Sequence, residues 1–167
     1  MQKSKAAIVT SGFFVVAPGT IVGLVPWLIT RWQFRRSLPG GMATRVLGAI
    51  LTVAGVIPPI SAYTEFVKAG GTPIPAAPTE RLVLSGFNRY VRNPIYVGLV
   101  VAIIGQALLL GNIRLLIHAA AVRAVFGAFV RWYEEPSLAG RYGAQYEEYR
   151  QAVRAWRPRL NPWTPNP

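Results

Sequence analysis

The chain has 167 residues, of which 52% are hydrophobic and only 14% are charged, yet its formal net charge is +12. Soluble domains carry about a quarter charged residues, so this composition argues against an ordinary soluble basic protein. The absence of cysteine excludes disulfides, thiolate catalysis and cysteine-based metal sites. The single histidine argues against a histidine-based zinc site, and we predict no metal.

Charged residues are segregated along the chain. Three runs without any charge cover residues 6–30, 46–64 and 93–113, and about 20 apolar residues are enough to span a bilayer as a helix. A fourth segment, residues 115–133, is mostly apolar but carries a histidine and two arginines, which indicates a helix with one polar face. We therefore predict an all-α, polytopic integral membrane protein with about four transmembrane helices.

The strong positive charge on its own is also typical of nucleic-acid binding. Because the basic residues flank the apolar runs, however, anionic lipid head groups are the simpler partner, and we predict membrane lipids and no nucleic acid. The distribution of Lys and Arg over the loops favours an inner location for the N-terminus and for the loop before the third helix. We expect the cytoplasmic membrane of a bacterium, with that loop facing the cytoplasm.

The first two predicted helices cover residues 7–29 and 44–66. We expect the first to kink at a Pro-Gly pair, and the small residues Gly19 and Gly23 predict a close contact with another helix. Two adjacent prolines should disturb the second half of the second helix. We treat residues 1–167 as one domain, with an N-terminal helical pair at 1–66 and a second half at 67–160 that contains most of the polar motifs.

The third predicted helix has clear boundaries. A Pro-rich stretch at 72–78 should be extended, because prolines cannot continue a regular helix. Pro94 is a favoured residue in a first helical turn, Asn93 can cap it, and Gly111 should end the helix. The fourth helix follows at once and reaches the sequence Glu-Glu-Pro.

The segment 138–156 has a different pattern. Its apolar residues recur every three or four positions, with charged residues between them. The apolar positions are Tyr142, Tyr146, Tyr149, Val153 and Trp156. This spacing predicts one amphipathic helix that lies on the membrane surface or packs over a site.

Two motifs contain the residue types that chemistry requires. In "TERLVLSGFNRYVRNPIYVG", the start of a helix offers unpaired N–H groups to a polar ligand, although Arg89 and Arg92 would serve equally well as contacts for lipid phosphates. In "RWYEEP", Arg131, Glu134 and Glu135 should share one helical face. Carboxylates at a membrane boundary are costly unless paired or used, and a local ion pair with Arg131 is the structural alternative.

Together these motifs resemble one family. The order "TPIPAAPTERLVLSG…RYVRNPIYVG" followed by "RWYEEPSLAGRYGAQYEEYRQAVRAWRPRL" resembles the isoprenylcysteine carboxyl methyltransferase family and its bacterial relatives, which lie near phospholipid N-methyltransferases. The resemblance covers about residues 70–160. It implies an integral membrane methyltransferase that uses S-adenosyl-L-methionine (S-adenosylmethionine).

The resemblance also implies which residues form the site. It places the acceptor-side arginine on Arg131, and Glu134 is our candidate for the general base if the acceptor is an amine. Asn88 stands where a tyrosine is usual, and eukaryotic members have His in place of Asn93. The implied cofactor contacts are Glu80, Arg81, Leu82, Val83, Asn88, Asn93, Pro94, Ile95, Tyr96 and Glu135.

We therefore predict methyl transfer from S-adenosylmethionine to a lipophilic acceptor, with a carboxylate as the first choice. Three alternatives stay open: a phospholipid or other N- or S-methyltransferase, an NADPH enzyme similar to the sterol reductases, and a non-enzymatic module that binds anionic lipid. The sequence contains no Gly-rich dinucleotide loop, which weighs against the reductase. The non-enzymatic module predicts that the arginines matter as a group and that Glu135 matters little.

Overall fold

The computed structural model describes Gly12 and residues 16–36, 38–68 and 82–164. The described residues form helices and turns and contain no strand, which confirms the all-α prediction. The predicted contacts Glu80 and Arg81 and the Pro-rich stretch lie outside the described residues. The helices are α1 (Val16–Thr30), α2 (Gly41–Lys68), α3 (Pro94–Leu110), α4 (Ile113–Phe129), α5 (Glu135–Tyr142) and α6 (Ala144–Ala152).

Two stretches are long and apolar enough to cross a membrane, Gly41–Ala62 in α2 and Arg114–Tyr142, which runs from α4 through α5. Only 17% of the apolar window of each is buried, so neither is the core helix of a soluble protein. The outer face of α2 exposes Val46, Leu47, Ile50, Val53, Ile57 and Ile60. So large an apolar surface suits lipid rather than water. Helices α1 and α3 are apolar but shorter, and the count of four spans stays a prediction.

Helices α2 and α3 approach each other through glycines. Gly48 faces Gly105 and Gly55 faces Gly98, and a Cβ atom at any of the four would overlap backbone atoms of the opposite helix. As the position rises along α2, the facing position falls along α3, so the two helices are antiparallel. Helix α2 also runs without a break through its two prolines, which therefore do not end it.

Helix α1 contains a wide π-helical turn at Gly19–Leu24 rather than a simple kink. Pro26 has no N–H to donate back into this turn, and side chains of α3 and α4 bind the carbonyl groups there. Gln106 Nε2 donates to the carbonyl of Val22 at 2.9 Å, and His118 Nε2 lies 2.9 Å from the carbonyl of Ile21. His118 is thus a polar residue in a helix interface.

The small residues of α1 are not used as predicted. A Cβ atom at Gly19 or Gly23 would meet nothing within 4 Å among the residues that the structure describes. The close helix contact lies instead between α2 and α3, where the glycines are spaced seven residues apart. Spacing alone did not distinguish the two sets.

The hairpin between α3 and α4 has the predicted boundaries. Gly111 caps α3 in the left-handed region (φ 67°), and the side chain of Asn112 accepts a hydrogen bond from the N–H of Arg114 at 3.1 Å. Buried residues then join the two helices in one cluster, which contains Ile103, Ala107, Leu110, Leu115 and Ala119.

The predicted single helix over 138–156 is wrong. Helix α5 ends at Tyr142, Gly143 adopts φ 52° and ψ −125°, and α6 ends at Ala152. Trp156 therefore lies beyond the helix. The tyrosine face still packs, because Tyr146, Tyr149 and Val153 are buried together against apolar neighbours that include Leu82 and Trp163.

Residues 154–163, which we call the strap, cross the beginning of α3 without regular secondary structure. The strap hydrogen-bonds to the backbone of residues 89–92, which precede α3. These bonds are Arg92 N–H to Arg154 O (3.0 Å), Arg159 N–H to Tyr90 O (2.8 Å) and Trp163 N–H to Arg89 O (2.9 Å). The strap thereby holds the C-terminal part of the described chain against the first turn of α3.

Candidate functional site

The two adjacent glutamates of "RWYEEP" contact the motif that begins α3. A π-helical turn at Val130–Glu134 precedes α5. Tyr96 Oη donates a hydrogen bond to Glu134 Oε2 at 3.1 Å, and Arg92 Nη2 lies 2.9 Å from Glu135 Oε1. We call Arg92, Tyr96, Glu134, Glu135 and Tyr146 the polar cluster.

Two residues of this cluster, Tyr146 and Arg92, were absent from the predicted site, and the ion pair comes from Arg92. Its side chain is only 12% exposed, and its Nη1 donates to Tyr146 Oη at 3.2 Å. Its Nε is buried and has no hydrogen-bond partner in the described part of the chain. The contact with lipid phosphate that the sequence allowed is therefore replaced by an ion pair inside the protein, with one N–H donor left over.

Aromatic rings form one side of the cluster. The ring of Tyr96 stacks on Phe126 with centroids 4.5 Å apart and is tilted against Trp156 at 6.5 Å. We call these three residues the aromatic wall. The strap supplies Trp156 and α4 supplies Phe126, so the wall exists only when the strap lies across α3.

Asn93 does not act as predicted. It occupies the N-cap position of α3 but makes no side-chain hydrogen bond to the helix. Its Nδ2 donates instead to the carbonyl of Ala155 at 3.1 Å. The capping prediction is wrong because the strap competes for this side chain. Pro94 does occupy the first turn, where it is buried, and Ile95 beside it is partly buried.

The loop before α3 packs against the helix that carries Tyr146. Leu82 packs on Tyr146, Tyr149 and Val153, and Val83 beside it is partly buried. Asn88 makes no direct contact with the polar cluster among the described residues. Its Nδ2 donates to the carbonyl of Ser85 at 3.3 Å, and its own carbonyl accepts a hydrogen bond from Tyr149 Oη at 2.6 Å.

The tyrosines of α6 keep their protons. Burial raises the pKa of the Tyr146 hydroxyl, and the charge of Arg92 opposes that shift. Burial also raises the pKa of the Tyr149 hydroxyl, again against Arg92. Both hydroxyls therefore stay neutral at physiological pH, where Tyr149 is a donor and Tyr146 can accept from Arg92.

Arg131 is not brought into the polar cluster. It is exposed on the π-helical turn and makes no hydrogen bond or ion pair with the described residues. Arg131 therefore does not act together with Glu134 and Glu135 as predicted, and the turn that they share is π-helical, with the N–H of Glu135 bonded to the carbonyl of Val130. The alternative of a local ion pair with Arg131 is also wrong, since Glu135 pairs with Arg92.

A groove of about 660 Å³ lies beside the first turn of α3, within the range of small-molecule sites. Pro94 and Val97 line it from one face of the helix, whereas Tyr96 projects from the other side. The rest of its lining comes from α2, the preceding loop and the strap: Pro58, Ser61, Gly86, Phe87, Arg89, Tyr90, Val91, Pro158 and Arg159.

The residues of the polar cluster fit S-adenosylmethionine, the cofactor that the sequence resemblance implies. Two carboxylates can accept hydrogen bonds from its amino and ribose hydroxyl groups, and the unpartnered Arg92 Nε can donate to its carboxylate. The aromatic wall suits the adenine ring and the positive sulfonium. Within the described residues, no three His, Asp or Glu side chains group as a metal site would.

One comparison with known proteins gives a match. A family model described as phospholipid methyltransferase matches residues 43–145, which is more than half of the chain. The match includes α2, α3, α4 and both glutamates, and it stops before Tyr146 and the strap. No curated protein and no solved structure matches the chain.

Proposed function

Because this chain belongs to the phospholipid methyltransferase family, we propose that it transfers a methyl group from S-adenosylmethionine to a lipophilic acceptor and that the polar cluster holds the cofactor. The family supports membrane methyltransferase activity, and its members generally use this cofactor. The observation that carries the assignment is the meeting of two separate motifs, through Arg92 with Glu135 and Tyr96 with Glu134.

Each glutamate is held by a different partner, which suggests two roles. Arg92 orients the Glu135 carboxylate, which we assign to the amino or hydroxyl groups of the cofactor. Tyr96 orients Glu134 through its hydroxyl group while its ring stays against Phe126. When bound, the cofactor supplies an electrophilic methyl group on a sulfonium. The protein then contributes mainly positioning and fixed charges.

The loop and the α3 start complete the proposed cofactor site. Leu82 and Val83 would line it from below, with Glu80 and Arg81 preceding them in the chain. Asn93 secures the strap and so acts through Trp156. We also propose that Asn88, Pro94 and Ile95 contact the cofactor, as the resemblance implies.

The acceptor atom separates two versions of this function. The resemblance favours a lipid carboxylate, which needs no general base, and would use Arg131 to bind it. The family match and the position of Glu134 favour a second candidate, a phospholipid amine. Glu134 is bonded to a tyrosine rather than to a cation, so it is the carboxylate available to take a proton from an amine.

We further propose that the polar cluster faces the cytoplasm, where S-adenosylmethionine is made, and that the acceptor arrives from the lipid between helices. The excess of Lys and Arg on that side of the apolar runs supports this orientation. Labelling of single cysteines introduced at Arg141 and Arg35 in intact cells, one at each end of the helices, would test it. Reagent that cannot cross the membrane should reach position 35 and not 141.

Calorimetry on the purified chain in detergent tests the cofactor site. We expect S-adenosylhomocysteine to bind to the unaltered protein, and Glu135→Ala to abolish binding because the carboxylate that accepts the cofactor's N–H or O–H groups is removed. Glu147→Ala is the matched control, since the side chain of Glu147 is 44% exposed and pairs with an arginine outside the cluster. The proposal would be overturned if the protein bound NADPH instead of S-adenosylhomocysteine, or if stable protein bound neither ligand.

A transfer assay with methyl-labelled cofactor and lipid extract separates the two acceptors. A methyl ester releases its label as methanol in mild alkali, whereas an N-methyl group does not. Glu134→Gln should slow transfer to an amine by about 100-fold, within the range of general base catalysis. The same variant should have a much smaller effect on transfer to a carboxylate.

A further inference from the structure

Arg123 is a charged residue in an apolar helix that the proposed function leaves unused. It lies in α4 and is partly buried, and its guanidinium is 3.6 Å from the centroid of the Trp156 ring. A charge in a membrane-spanning segment is costly and usually serves a ligand, an ion pair or a water-filled path. Its placement therefore calls for a partner.

Gly127 allows the arginine to take this position. A Cβ atom on Gly127 would lie 2.6 Å from Arg123 Nη1, closer than such atoms can approach. The absence of a side chain lets the guanidinium lie along α4 in the direction of Glu134. Arg123 thus points toward the end of the helix that carries the polar cluster.

No protein anion neutralises Arg123 among the described residues. The two glutamates nearest in this part of the fold are engaged elsewhere, Glu134 with Tyr96 and Glu135 with Arg92. Stacking on an indole uses the flat face of a guanidinium and leaves its N–H groups free at the edge. These donors match a carboxylate or a phosphate, which can accept two parallel hydrogen bonds.

We propose that Arg123, positioned by Gly127 and Trp156, and not the exposed Arg131, binds the anionic group of the lipophilic acceptor. This inference rests on the proposed function, since it identifies the acceptor as a lipid that carries a carboxylate or a phosphate. The aromatic wall connects the two sites: Trp156 lies next to both Arg123 and Tyr96, and the Tyr96 hydroxyl group donates a hydrogen bond to Glu134. An anion held at Arg123 therefore lies beside the wall that flanks the cofactor residues.

Direct binding of simple amphiphiles to the full chain in non-ionic detergent tests the proposal. The probes are dodecanoate, dodecyl phosphate and, as the neutral analogue, dodecanol. We expect at least one anionic probe to bind about tenfold more tightly than dodecanol, as two charge-assisted hydrogen bonds would give. Preference for dodecanoate would indicate a carboxylate acceptor, and preference for dodecyl phosphate would indicate a phospholipid.

The preference should depend on Arg123 in particular. Arg123→Ala should remove it, and Arg123→Lys should keep part of it, because an ammonium retains the charge but not the planar fork. Gly127→Ala should reduce it by displacing the guanidinium. Arg141→Ala is the matched control, because Arg141 is also an arginine near an aromatic ring, 5.8 Å from the Tyr142 centroid, but is exposed.

Two results would overturn the inference: equal binding of anionic and neutral probes to the unaltered chain, or an unchanged preference in folded Arg123→Ala protein. Titration with S-adenosylhomocysteine keeps the proposed function separate. If S-adenosylhomocysteine binds to both the unaltered chain and the Arg123→Ala variant, and the variant loses only its preference for anionic probes, both proposals stand. If the product fails to bind while the preference for anions depends on Arg123, the proposed function fails and Arg123 is still an anion site.

Discussion

The contact between α2 and α3 and the contact between α3 and the strap stabilise the same helix by opposite means. Gly55 and Gly98 bring two helices together because they have no side chains. At the start of α3, Asn93 and Arg92 hold the strap and α6 with side-chain and backbone hydrogen bonds. The first contact tolerates no added atom, and the second depends on particular polar atoms. Substitutions in the two regions should therefore fail in different ways.

The largest effect should come from filling the glycine contact. In Gly98→Leu, the new side chain would overlap the carbonyl of Gly55 and the ring of Pro59, so the helices must separate. We expect the free energy of unfolding to fall by more than about 4 kcal/mol, so that little monodisperse protein is recovered after purification. Gly140→Leu is the control, since a Cβ there meets nothing within 4 Å. Equal recovery of both variants would show that the two helices do not need this contact.

A smaller effect should follow from breaking the polar cluster. Arg92→Ala leaves Glu135 without its cation where the two side chains are only 12% and 22% exposed. We expect the free energy of unfolding to fall by about 3 kcal/mol, measured as a lower thermal midpoint. The variant should also lose S-adenosylhomocysteine binding. Arg150→Ala breaks an ion pair whose members are 47% and 44% exposed and should cost under about 0.5 kcal/mol. Similar losses in the two variants would contradict a special role for Arg92.

The two asparagines at helix starts provide a finer test. Asn112→Ala removes a true cap of α4, and Asn93→Ala removes the bond to the strap. Each should cost about 1 kcal/mol. Only Asn93→Ala should speed cleavage within the strap by a protease, because only that variant loosens it. Faster cleavage in Asn112→Ala would mean that the strap responds to general instability.

Among the substitutions at α3 and its partners, the smallest change in stability should come from Tyr96→Phe. The ring keeps its stack on Phe126, and only the hydrogen bond to Glu134 is lost. We therefore expect the free energy of unfolding to fall by about 0.5–1 kcal/mol. Methyl transfer should fall further, by about tenfold, because Glu134 loses the group that orients it. An unchanged transfer rate would show that the orientation of Glu134 does not matter.

Local chemistry made part of the fold predictable. The bounds of α3 follow from a proline that suits a first turn and from Gly111, which adopts a positive φ that other residues avoid. The apolar runs likewise predicted where the helices lie. The family resemblance of the two motifs predicted that Glu134 and Glu135 would come near Tyr96. The spacing of the residues alone did not.

Other features depend on contacts that leave little trace in a sequence. The strap is held largely through backbone atoms, which every residue has, so a Pro-rich tail gave no sign of it. No spacing rule anticipates the π-helical turn at Val130–Glu134 or the position of Arg131 outside the polar cluster. The ion pair of Arg92 was missed because an arginine beside an apolar run is typical of lipid contact.

The strap also fixes an order of events during synthesis. Asn93 and its partner Ala155 are 62 residues apart in the chain, so at about 5–20 residues per second the partner emerges about 3–12 s later. During that interval Arg92 and Asn93 lie at the start of α3 without the groups that later satisfy them. Helix α2, made before α3, is then already present to pack against it through Gly55 and Gly98. The glycine contact can therefore hold α3 in place until the last part of the site arrives.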